Sequence, residues 1–168
     1  MRKIFLITFL IAITTSVALS QTPLPPAKEY RAQGYGFIGP AAFTTDSDNL
    51  ITYGVGGEGL LAGGFGVGAE LAGFARRGRV DNGFGTLSAN ASYHFLNAGK
   101  SRKLAPFATG GFSLFFPRTP NVGINVGGGV NYWFKERLGL RVEVRDHYLF
   151  HADGGINVVG VRFGVAFR

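Results

Sequence analysis

The stretch Leu138–Leu149, "LGLRVEVRDHYL", alternates strictly. Leu138, Leu140, Val142 and Val144 share one parity, and Arg141, Glu143, Arg145 and His147 share the other. Period two is the side-chain period of a β-strand, so this segment has one apolar face and one charged face. The pattern recurs from Gly34 onward. Segment 86–95 sets Leu87, Ala89, Ala91, Tyr93 and Phe95 against Thr86, Ser88, Asn90, Ser92 and His94. Segment 122–134 opposes Val122, Ile124, Val126, Val130, Tyr132 and Phe134 to Asn125, Asn131 and small residues. The last segment opposes Val159, Val161, Phe163, Val165 and Phe167 to Gly160, Arg162, Gly164 and Ala166.

Turn signals divide the chain into eight predicted strands, at about 35–43, 50–61, 65–75, 84–95, 104–116, 122–134, 138–150 and 156–167. The connections "TTDSDN", "AGG", "RRGRVDNG", "LNAGKSRK", "PRTPN", "KER" and "HADGG" are short enough for antiparallel hairpins. An even number of strands of about ten residues, joined up-and-down, is the pattern of a transmembrane β-barrel. The expected fold class is all-β, an eight-stranded antiparallel up-and-down barrel.

Alternation leaves open which face is outside, because a soluble barrel buries its apolar face and a membrane barrel exposes it. Composition decides. Glycine is abundant, 27 of 168 residues, and falls on the polar parity at 54, 56, 66, 68, 127, 129, 139, 160 and 164. Small residues suit the crowded inside of a narrow barrel and serve no purpose on a wet exterior. Aromatic residues gather near strand ends, Tyr93, Phe95, Tyr132 and Phe134 at one rim and Phe43, Phe84, Phe116 and Tyr148 at the other, as in interfacial girdles. The apolar face is therefore expected outside. Glu58, Glu70, Arg141, Glu143, Arg145, His147 and Arg162 then point into the lumen, where three acids face three arginines. Asp146 breaks the parity and points outward, some 20 Å above Leu138 on a tilted strand. Pro40 and Pro106 each remove a ladder donor in a sheet that has no edge. Pro106 fits at a strand start, and Pro40 is expected at a bulge.

Residues 1–20 carry Arg2 and Lys3, an apolar run from Ile4 to Ile13, and a small-residue stretch ending Ala18-Leu19-Ser20. That order is a secretory signal peptide with cleavage before Gln21, and the apolar run is too short for an anchor helix. Residues 21–33, with three prolines, read as an extended periplasmic lead-in, and 34–168 as the barrel. The chain has no cysteine, which rules out disulfides, thiolate metal sites and a cysteine nucleophile. Its formal charge of +7 is spread among loops and not along one face, so no nucleic-acid partner is expected. No cofactor and no metal are expected. The segment "GVGGEG" formally fits a dinucleotide-binding pattern, but no helix follows it. His147 and His151 lie about 13 Å apart on an extended chain, too far to share a metal.

On "LGLRVEVRDHYL", the endings "YHF" and "YWF" before short turns, and the closing "VGVRFGVAFR", the chain resembles the small eight-stranded outer-membrane barrels of Gram-negative bacteria, the OmpA/OmpX type. The resemblance implies periplasmic termini and assembly by the barrel-insertion machinery. That machinery reads a terminal aromatic residue, whereas here Phe167 is penultimate and Arg168 follows. It also implies contact with outer-membrane lipids and lipopolysaccharide; separately, one alternative function is a surface binding protein that meets lipopolysaccharide phosphates through Arg76, Arg77 and Arg79 on a rim loop. A monomeric, non-enzymatic barrel with a structural or surface role is the expected function. The alternative is a lipopolysaccharide-modifying enzyme using Ser113 with Asp146, His147, His151 or Asp153. Against it, Ser113 and His147 fall on strands separated by a third, about 10 Å apart. "RDHYLFH" also lacks the serine two residues after the histidine that lipid A deacylases of this shape would carry.

Overall fold

The computed structural model describes residues 32–44, 49–76, 79–95, 103–116, 120–150 and 155–168, with side chains throughout except at 79–82. Eight strands follow one another: β1 (Ala32–Phe43), β2 (Asn49–Leu60), β3 (Phe65–Arg76), β4 (Arg79–His94), β5 (Leu104–Phe116), β6 (Asn121–Trp133), β7 (Leu138–Leu149) and β8 (Ile156–Phe167). Each pairs antiparallel with its successor, and β1 pairs with β8, so the sheet closes. The predicted export signal and most of the lead-in lie outside the described residues, as do 45–48, 96–102 and 151–154.

Orientation follows from exposure. Phe112 is 68% exposed and Val126 63%, whereas Arg145 and Glu143 are each 1% exposed. The wall is apolar outside and polar inside, the reverse of a soluble barrel. Arg, Glu and Asn stay inside because the lumen offers them one another as partners, whereas hydrocarbon would offer none.

Strand ends differ from the sequence-based expectation at two places. β1 begins at Ala32, which pairs with Gly59, so Gln33 already belongs to the wall. β4 begins at Arg79, which pairs with Arg76, so strand pairing extends well into the segment expected as a loop. The turn-prone residues Asp81, Asn82 and Gly83 fall inside a register shift between Phe74 and Arg76. A bulge absorbs turn residues without ending a strand, which is why their composition misleads. At the opposite end, Ala62–Gly64 makes a tight turn with Gly63 at φ 75° and Gly64 at φ 87°, a left-handed geometry that favours glycine.

Pro40 is accommodated without the expected bulge. The β1–β8 register runs Ile38↔Phe163 and then Ala41↔Gly160 with no slip, so the ladder simply lapses for two positions. On its other side Pro40 stays paired with Ile51. Pro106 is the third residue of β5, just past the last β4–β5 pair, His94↔Phe107. Its carbonyl accepts from Phe95 N at 2.9 Å, so its missing N–H falls where β4 has run out.

The two predicted girdles need one correction. Tyr93, Phe95, Tyr132, Phe134 and Phe116 are exposed on the outer face. Phe43 and Phe84 instead share the inward parity of Ala41 and Thr86, and pack against the buried cluster within the barrel. Near a strand end an aromatic residue can serve either face, and only its parity within the ladder decides.

Candidate functional site: the charged lumen

Along β7 the inward residues Arg141, Glu143 and Arg145 alternate in sign at two-residue spacing, so each arginine reaches back to the same carboxylate. Arg141 holds Glu143 Oε2 through Nε at 3.0 Å and Nη2 at 2.9 Å. From the other side Arg145 donates Nε to Oε1 at 2.5 Å and also contacts it through Nη2. Arg162, from β8, brings Nη1 to 3.8 Å from the same oxygen. Glu143 is thus the hub of three guanidiniums.

Two further carboxylates complete the charge balance. Glu70 on β3 accepts from Arg162 Nη1 at 2.8 Å and from the Tyr35 hydroxyl at 3.1 Å, with Arg145 Nη2 at 3.7 Å. Glu58 on β2 accepts from Gln33 Nε2 at 2.5 Å and from the Ser92 hydroxyl, with His94 Nε2 at 3.1 Å and Arg141 Nη1 at 3.9 Å. Among the described residues the lumen therefore holds three carboxylates and three guanidiniums, all in contact. Arg145 and Arg141 also donate to Asn125 at 2.7 Å and Asn131 at 3.4 Å. A charge taken from water is costly unless paired and hydrogen-bonded, and here each ion has several partners.

The remaining lumen is filled by aromatic rings, and these the sequence pattern did not reveal. Tyr35, Phe37, Phe107, Phe115 and Trp133 point inward, each beside a glycine of a neighbouring strand. A Cβ at Gly56 would lie 2.5 Å from the Tyr35 ring, at Gly54 2.7 Å from Phe37, and at Gly129 2.9 Å from Phe107. The inward glycines are the spaces into which these rings fold. Two of the rings then lie against arginine, Tyr35 at 4.1 Å and Phe107 at 3.8 Å from the Arg141 guanidinium carbon. Phe37 lies 4.4 Å from that of Arg162. Such stacking stabilises a desolvated cation.

Both ends are capped. At the end bearing the 45–48 and 77–78 connections, Phe74 stacks on Phe84 at 4.7 Å, and Phe43 and Phe115 close around them at 6.2 Å. At the other end Arg168 lies 4.1 Å over the Trp133 ring.

Ser113 and His147 correct the sequence-based distance. Strand spacing alone puts them about 10 Å apart, yet Ser113 Oγ lies 3.2 Å from His147 Nδ1. In a narrow closed barrel, side chains meet across the lumen and not only along the wall. The wiring is nonetheless wrong for nucleophile activation. Arg162 Nη2 sits 2.9 Å from His147 Nε2, and a guanidinium can only donate, so Nε2 accepts and the proton sits on Nδ1. That proton points at Ser113, which also accepts from Asn125 at 3.0 Å and pairs with Ser88 at 2.8 Å. A general base needs a free lone pair toward its nucleophile, and His147 offers none. Ser113→Ala is expected to cost about 1–3 kcal/mol, by stranding the Nδ1 proton, while Asn125 Nδ2 keeps its bond to Asn90 Oδ1 at 3.0 Å. Urea unfolding in lipid would measure it, and an unchanged midpoint would mean that this bond carries nothing.

Other predicted site residues disperse. Asp146 faces outward and accepts from Asn157 Nδ2 at 2.8 Å, away from the lumen. His151, Asp153 and Arg77 lie outside the described residues, and Arg79 is described in its backbone only. Arg76 ends β3 at the rim. No group of three or more metal-ligating side chains occurs among the described residues.

No protein-family profile matches the sequence. No curated protein matches it either. Solved structures do. Neisserial surface protein A superposes with a TM-score of 0.64 at 14% identity, over 81% of this chain and 94% of that one. The N-terminal barrel domain of OprF from Pseudomonas aeruginosa gives 0.57 at 17% identity, over 81% and 96%. A de novo designed transmembrane β-barrel gives 0.55 at 14% identity, over 84% and 98%. A designed chain matching nearly as well as the OprF domain shows that the likeness rests on strand number and closure. The chain has the fold of the small eight-stranded outer-membrane β-barrels.

Proposed function

We propose that this chain is a non-enzymatic barrel of a Gram-negative outer membrane, exported through a cleaved signal peptide, with a structural or surface role. The observation that carries this reading is a lumen closed by its own side chains inside an apolar outer wall. A network of three carboxylates and three guanidiniums fills the middle, and aromatic residues cap both ends. An eight-stranded barrel has room for side chains and little else. In this reading the ion pairs serve as a polar core that fixes register, and the apolar wall meets lipid. Its partners are outer-membrane lipids and lipopolysaccharide, the latter contacted through the basic rim segment Arg76, Arg77 and Arg79, together with the assembly machinery during insertion. The chain acts as a monomer. A lipopolysaccharide-modifying activity is disfavoured by the His147 tautomer that Arg162 imposes.

The test uses chain from Gln21 onward refolded into lipid vesicles. Its mobility in SDS should differ between unboiled and boiled samples, and planar bilayers containing it should stay silent. A protein that remains in the aqueous fraction without a heat-dependent shift would overturn the membrane reading. Stable open-channel currents would overturn the sealed lumen.

A further inference from the structure

One row of the outer wall departs from its surroundings. Tyr53 on β2, Gly73 on β3, Gly85 on β4 and Phe116 on β5 are cross-strand partners in sequence. The two central positions of the row have no side chain. A Cβ at Gly73 would lie 2.7 Å from the Tyr53 ring, and one at Gly85 2.4 Å from the Phe116 ring. The rings thus lean inward from both flanks over bare backbone. Aromatic side chains laid over cross-strand glycines are a known device of sheets, and alone they would leave a smooth wall. Here they leave a groove of about 560 Å³, lined by the outward Tyr53, Val55, Leu71 and Phe116 and also by Phe74 and Phe84, which face the lumen.

We propose that this groove seats one hydrocarbon chain of a membrane lipid. The inference rests on the membrane reading above, and the occupant follows from the groove's surroundings. It is continuous with the apolar outer belt, since Val55, Leu71, Leu87 and Leu114 form the next row. Among the described residues no charged side chain lines it. A void against a wall forfeits dispersion contacts on one side, and a flexible linear chain is the bilayer component that can lie along an open groove and restore them. Hydrophobic transfer contributes nothing here, because bulk lipid is equally apolar. The gain is the added contact with two rings and the backbone. About ten additional carbon–carbon contacts correspond to roughly tenfold in occupancy.

Native mass spectrometry of barrels extracted from dioleoylphosphatidylglycerol vesicles tests this. The wild type should retain one phospholipid mass under detergent conditions that strip the rest. Val55→Trp and Leu71→Phe enlarge side chains that line the groove, and each should lower that occupancy about tenfold. Val126→Trp, on β6 and away from the groove, should leave it unchanged. Absence of a retained lipid in wild type, or equal retention in all four proteins, would overturn the proposal. A second measurement isolates the membrane reading. In a Trp133→Phe background, the Val126→Trp emission should be quenched by chain-brominated phospholipid. Quenching without a retained lipid defeats the groove alone, whereas no quenching defeats the membrane reading beneath it.

Discussion

Glu143→Ala is expected to destabilise the folded barrel by about 3–5 kcal/mol, the usual cost of removing one partner from a buried ion network. The reason is positional. Glu143 is 1% exposed and touches Arg141, Arg145 and Arg162, so its loss leaves three guanidiniums to share Glu58 and Glu70. Glu143→Gln keeps the shape but not the charge, and should fall close to the alanine variant. Adding Arg145→Gln restores neutrality, so the double variant should be less destabilised than the two single losses summed. Urea titration in lipid vesicles, followed by fluorescence, would give all the midpoints. A Glu143→Ala midpoint within about 1 kcal/mol of wild type would mean that water hydrates the arginines and that the lumen is not a dry polar core.

Gly39→Ala should do more damage still. A Cβ at this position would lie 1.9 Å from the Val161 carbonyl oxygen and 3.1 Å from the Arg162 Cα. Those are backbone atoms of the strand that closes the barrel, so neither a rotamer change nor a small tilt relieves the overlap. The loss should exceed about 4 kcal/mol, in the range reserved for disrupted backbone geometry. Its readout is disappearance of the heat-modifiable band after refolding. Gly36→Ala on the same strand is the control. There a Cβ would find its nearest atoms at 3.8 and 3.9 Å, so the substitution should be tolerated. Equal behaviour of the two variants would contradict the described β1–β8 seam.

The comparison of these two glycines marks how far a sequence can be read. Period-two alternation is a local property, set by where successive Cβ atoms point, and it was enough to find every strand and most inward residues. It also placed Glu58, Glu70, Arg141, Glu143, Arg145, His147 and Arg162 on one face. Alternation puts Gly39 and Gly36 on opposite faces, but it could not say that Gly39 abuts the Val161 carbonyl, because that atom lies on β8 and becomes its neighbour only when the barrel closes. Nor could it place Tyr35 and Phe37 inside, since the glycines that admit their rings, Gly56 and Gly54, lie on the next strand and become partners only through register.

Contacts across the lumen were equally out of reach. Ser113 and His147 are not on adjacent strands, yet they bond, because the closed wall is narrow enough for side chains to meet over its centre. The 81–83 segment looked like a turn because Asp, Asn and Gly make turns, and a bulge uses the same residues. By itself, then, the sequence determined that this chain forms an antiparallel closed sheet with its charges on one face and its apolar residues on the other. Those are consequences of local geometry and of the free energy of placing each residue type in each medium. Which carboxylate holds which arginine, which glycine yields to which ring, and where the wall opens a groove were decided only by closure, which sets register and diameter and so brings distant positions together.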